Sequence, residues 1–172
     1  MRAPLTPARI QALDRRAAAI REAGHVVIGR HLGIGPVWGE IFPFDADEPG
    51  RTWAGHTWPQ PNRLGRLSHE RQMMYAVAGM VSVHAWICNR SGDWPPGFRI
   101  ELTDPDCMSE TDWDWTDSEP GEPTDRLVRC AELVAGLLRP GAGPLWPSLL
   151  AEARSMIAAA SAVARAEKRA KA

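Results

Sequence analysis

Ile10, Leu13, Ala17, Ile20, Gly24, Val27 and Ile28 recur every three or four positions near the N-terminus, the spacing of one face of an α-helix. Thr6 can cap that helix, and Pro7 suits its first turn because proline lacks an N–H that would go unpaired there. Gly33 is a natural stop. The pattern predicts one helix over residues 7–32. From 34 to 66, glycine, proline and aromatic residues replace the helical period. Val37 to Phe42 and Thr52 to Trp58 predict two short strands around an acidic turn, Asp45 to Gly50, in a small hairpin or sheet. Ser68 then predicts the cap of a helix over 69–90, with Met73, Met74, Val77, Val81, Trp86 and Ile87 buried. Residues 91–107 hold Pro95, Pro96, Gly97 and Pro105 and predict a long irregular connection. Ser109 caps a short helix with Glu110 in its first turn. Thr124 opens a helix ending before Pro140, and Pro147 opens the last, which runs into a solvated Arg/Lys/Ala tail.

These elements predict a predominantly helical α+β fold in a single domain over 1–172. Its parts are a long helix (1–33), a small sheet (34–66), two further helices (67–118) and C-terminal helices (119–172). A chain of 172 residues can bury one core. A formal net charge of −1 lacks the basic excess of a nucleic-acid-binding protein. Only Lys168 and Lys171 among the 20 basic residues are lysine, a genomic bias and not chemistry. Cys88, Cys107 and Cys130 are odd in number and form no C-x-x-C, so buried free thiols in a reducing cytoplasm are expected. No apolar run suits a signal peptide or a bilayer span, and no membrane association is expected.

The stretch with chemistry is Ile20-Arg21-Glu22-Ala23-Gly24-His25-Val26-Val27, closed by Leu32-Gly33. In an H-E-x-x-H helix, two histidines at i and i+4 point the same way and bind one zinc ion. The glutamate beside the first takes a proton from the metal-bound water. Here Glu22 and His25 stand in those places, and Arg21 stands where the first histidine would be. The stretch resembles the HEAGHAVV…LG segment of the FtsH-type (M41-like) zinc metallopeptidases, including their small stand-alone bacterial and phage relatives. The resemblance extends over roughly residues 6–118. It implies an M41-like metallopeptidase core, zinc as cofactor, a protein or peptide as substrate or partner, Glu22 as general base and His25 as a metal ligand. It also implies a third ligand from a small-x-x-Asp segment, which Ser109 to Asp112 fits. Asp112 takes that role, with Asp114 in reserve. The family's intervening helix carries an alanine-glycine pair, matched by Ala78-Gly79. Val83 stands where a glutamate would follow. No G-x-x-x-x-G-K-[ST] is present, so no ATP is used.

A guanidinium has no lone pair to offer a metal. Two readings follow. In one, the enzyme is impaired, the fold is kept for binding a protein or peptide, and Arg21 neutralises Glu22 and Asp112 through a bidentate fork. In the other, the protein is an active zinc endopeptidase with its missing ligand drawn from His31, His56, His69 or His84. Simpler readings stand beside both: Arg21 as a solvent-facing helix residue, His25 as a core histidine bonded to a backbone carbonyl, and Asp112 as a first-turn acid. Trp113 and Trp115 flank Asp114, and Trp53 and Trp58 flank His56, as packing residues or a partner surface. The acids between Asp104 and Glu122 lack calcium-loop spacing and are expected to cap a helix.

Overall fold

The computed structural model describes residues 6–44, 52–59, 61–91 and 98–170. It is an α+β protein, mostly helical, with one two-stranded antiparallel sheet. Helix α1 runs Pro7–His31. Thr6 occupies its N-cap position without a side-chain bond, and the Thr6 carbonyl accepts from the Arg9 and Ile10 amides. Gly33, at φ +77°, stops it. The Ile34 amide returns to the Gly29 carbonyl and the Gly33 amide to Arg30, which pairs the free carbonyls of the last turn and buries Ile34.

Strand β1 (Trp38–Pro43) pairs with β2 (Trp53–Trp58), Trp38 opposite Trp58 and Glu40 opposite His56. The expected strands are therefore present, while the expected turn from Asp45 to Gly50 lies outside the described residues. So does the Pro95-Pro96-Gly97 part of the long connection. A short α2 (Pro61–Leu64) precedes α3 (His69–Ala76) and α4 (Ala78–Ser91). The single helix expected over 69–90 is thus two. The interruption falls where His25 Nδ1 takes the Tyr75 carbonyl, a side chain entering the i→i−4 ladder. Ser68 sits at the N-cap of α3 without a side-chain bond. Met73, Val77 and Val81 are buried as expected, Met74 and Trp86 partly, but Ile87 faces solvent because, among the described residues, no element covers that side of α4.

Two 3-10 turns, Glu101–Thr103 and Pro105–Cys107, lead to α5 (Glu110–Trp113). Thr124 caps α6 (Asp125–Leu138) by accepting from the Leu127 amide. Helix α7 spans Trp146–Ala170, and most of its described side chains beyond Ile157 are exposed. The core forms where the buried middle of α1 is covered by α4, α7 and the hairpin, with α6 against α3 and α4. Leu127, Ala131, Val134 and Leu138 line one face of α6, and Leu149, Ala153 and Met156 one face of α7, each at helical spacing. Among the described residues no helix is long and apolar enough to cross a membrane.

Candidate functional site

The site lies where α1 meets α4, α5 and the hairpin. Arg21 and His25, at i and i+4, sit on the same side of α1. Helix α4 can approach them because Gly79 faces them with bare backbone. A Cβ at Gly79 would lie 2.5 Å from His25 Nε2 and 2.9 Å from Arg21 Cγ. His25 is buried, 4% exposed, and its ring tilts against that of Tyr75 with centroids 5.2 Å apart. Its Nδ1 lies 3.1 Å from the Tyr75 carbonyl oxygen. A carbonyl can only accept, so Nδ1 carries the hydrogen, and Nε2 faces the site.

Across from Nε2 stands Asp112. Ser109 and Asp112 form a capping box at the start of α5: the Ser109 hydroxyl accepts from the Asp112 amide and donates to Oδ2 at 2.7 Å. The Ser109 amide donates to the same oxygen at 3.3 Å. That oxygen lies 3.7 Å from His25 Nε2 and 3.5 Å from Arg21 Nη2. Arg21 Nη1 donates to the Cys107 carbonyl at 3.4 Å. One guanidinium thereby touches both the second 3-10 turn and α5. Trp113 Nε1 donates to the Pro105 carbonyl at 2.9 Å and ties these two pieces together.

Glu22 turns the other way. It is 7% exposed, and its Oε2 accepts from the Thr57 hydroxyl at 2.5 Å. Gly55 of β2 lies so close that a Cβ there would be 2.3 Å from Glu22 Cγ. Arg21 therefore pairs with Asp112 through one nitrogen and one oxygen. The expected bidentate fork and the expected neutralisation of Glu22 are both absent. The reason is rotational: consecutive helix residues point about 100° apart, which aims Glu22 at the hairpin and Arg21 at α5.

Asp112, and not its reserve Asp114, faces α1. Asp114 ends α5 and is exposed. The histidines considered as substitute ligands lie elsewhere. His31 is exposed at the end of α1. His56 is exposed against the Trp58 ring. His69 contacts Gln72, and His84 pairs with Glu101 at 3.1 Å. Among the described residues, no group of three His, Cys, Asp or Glu side chains could hold a metal ion. Val83 is partly buried against the core. Trp113 is buried and Trp53 and Trp115 partly so, whereas Trp38 and Trp58 are exposed on the outer face of the hairpin.

Three participants carried no signal in the motif: Tyr75, Thr57 and the Cys107 carbonyl. Tyr75 is the one tyrosine of the chain, a hint that composition alone could have given. Burial raises its hydroxyl well above the ordinary range, and the negative charges of Asp112 and Glu22 add to this. Burial, with the charge of Asp104 next, pushes the Cys107 thiol up to about 11, against a smaller lowering by Arg21.

Does this donor set fit a catalytic zinc? Two donors do. Ligands of one tetrahedral zinc stand about 3.4 Å apart, near the separation of His25 Nε2 and Asp112 Oδ2. The third position is filled by a permanent cation. Catalytic zinc takes three protein ligands, so the residues present do not fit it. In comparisons with known proteins, no family model and no curated sequence matches the chain.

Proposed function

We propose that this protein is a relative of the FtsH-type zinc metallopeptidases that keeps an M41-like core, has given up hydrolysis and binds a protein or peptide partner. One observation carries the reading: Arg21, in the first ligand's place, reaches toward the third ligand's place at Asp112 Oδ2, 3.5 Å away. A guanidinium there cannot donate to a metal and repels one. The engagement of Glu22 by Thr57 supports it further, since a general base must be free to take a proton from water.

Binding is supported by the hairpin. Its two strands have no third neighbour among the described residues, so its edges can accept an extended chain by strand addition. Its outward face presents Trp38, Phe42 and Trp58, residue types that anchor protein interfaces. An odd number of cysteines with no C-x-x-C accords with a cytoplasmic setting.

The test is elemental analysis of the purified protein, combined with turnover of an unfolded protein substrate and capture of peptides from a random library. The expected result is sub-stoichiometric zinc, no cleavage and saturable peptide capture. About one zinc per chain together with turnover would establish an active endopeptidase instead.

A further inference from the structure

We propose, resting on the reading above, that Arg21 is a resident cation: it supplies at the junction of α1 and α5 the positive charge that a metal would bring, and the single substitution Arg21→His opens a latent zinc site there.

The geometry favours a cation at this point. With Nδ1 on the Tyr75 carbonyl, His25 turns Nε2 toward the site. Nε2 faces a carboxylate oxygen 3.7 Å away. A carboxylate so enclosed is stabilised by positive charge beside it. Arg21 Nη2 stands 3.5 Å from the same oxygen. The Asp112 side chain is largely withdrawn from water, 14% exposed, so solvent screens it less than a surface acid. Helix α5 is a single turn of four residues, too short to hold its position by its own hydrogen bonds. Its attachment therefore depends on what Asp112 and Trp113 meet.

The same geometry is that of a ligand set lacking one member. Nε2 of His25 is the nitrogen left free, and the carbonyl on Nδ1 is the kind of partner that fixes a metal-binding ring. Asp112 is oriented by two donors from Ser109. Position 21 lies one helical turn before His25, so a histidine there projects to the same side. Gly79 keeps the space in front of both positions free of a side chain.

The experiment compares melting of the wild type, Arg21→Met, Arg21→Lys, Arg21→His and the double variant Arg21→His/Asp112→Asn, each in chelator and in added zinc. The wild-type Tm should ignore both additions. Arg21→Met should melt several degrees lower, and Arg21→Lys should recover part of the loss. Arg21→His should melt lower in chelator, take up about one zinc per chain and rise in Tm as zinc is added. The double variant should lose that rise. An Arg21→Met protein as stable as the wild type, or an Arg21→His protein that takes up no zinc, overturns the proposal. If Arg21→Met does not fold, Arg21→Lys decides: a folded, zinc-indifferent lysine variant upholds the resident charge, and an unfolded one overturns it. Zinc and turnover in the wild type would sink the proposed function along with this inference. A wild type that captures no peptide sinks the proposed function alone.

Discussion

The Thr57 hydroxyl meets Glu22 Oε2 at 2.5 Å, across the junction of the hairpin and the long helix. The bond joins a strand residue to a buried carboxylate, and Gly55 packs beside it without a side chain. A carboxylate withdrawn from water needs donors, and here a hydroxyl on β2 provides one. Glu22 thus fastens the sheet to the core.

Thr57→Val keeps the shape and removes the donor. The buried carboxylate is then left short of a partner, at a cost of about 1–3 kcal/mol. Thr57→Ser should lose far less. Urea unfolding of the three proteins checks this, and a valine variant as stable as the wild type would contradict it.

A second clamp lies two turns earlier on α1. Asp14 Oδ2 accepts from the Thr52 amide at 2.6 Å, the Trp53 amide at 2.8 Å and the Thr52 hydroxyl at 3.1 Å. Arg15 stacks over the Trp53 ring, 4.5 Å from its centroid. Asp14→Ala strands two backbone donors at the start of β2, and a loss of about 1–3 kcal/mol follows. Faster amide exchange at Trp53 than at helix α6 would show the effect to be local to the hairpin. Unchanged exchange there would rule the clamp out.

Gly79 and Gly136 make a matched pair. Alanine is the better helix former by about 1 kcal/mol. At Gly136 a Cβ meets nothing within 4 Å, so Gly136→Ala should stabilise by about 0.5–1 kcal/mol. At Gly79 the Cβ would fall 2.5 Å from His25 Nε2, and crowding of this kind costs about 1–3 kcal/mol. Gly79→Ala should therefore destabilise despite its propensity. Denaturation midpoints moving the same way in both variants would refute the close approach of α4 to His25.

Alkaline pH should weaken the fold. Burial, ahead of nearby negative charge, raises the Cys107 and Cys130 thiols from the ordinary 9.0 to about 11, and raises Tyr75 further still. Each group then holds its proton in the folded chain at pH values where the unfolded chain has released it. Stability contributed this way is complete below pH 9 and falls as pH rises from about 9 to about 11. Because the chain has one tyrosine, its tyrosinate absorbance reports Tyr75 alone. That absorbance should appear only as the protein unfolds. Its growth in a still-folded protein, or a denaturation midpoint flat across this window, would count against the burial of these groups.

Local chemistry settled much of this protein within the sequence. The long helix and its stop at Gly33, the caps at Ser109 and Thr124, and the two strands Trp38–Pro43 and Trp53–Trp58 all follow from spacing and from hydrogen bonds within a few residues. Asp112 was singled out through the resemblance to the metallopeptidase segment, and its capping bond to Ser109 is a local fact. What Asp112 meets is not. Only packing decided that Arg21 reaches Asp112 while Glu22 reaches Thr57, that the Tyr75 carbonyl takes His25 and interrupts the helix after Ala76, and that Ile87 stays in water. Those outcomes depend on which faces of α1, α4 and the hairpin come together. Such contacts join residues 35 to 91 positions apart in the chain. A helical period records that a side is buried, and the partner is set by whichever element comes to cover it.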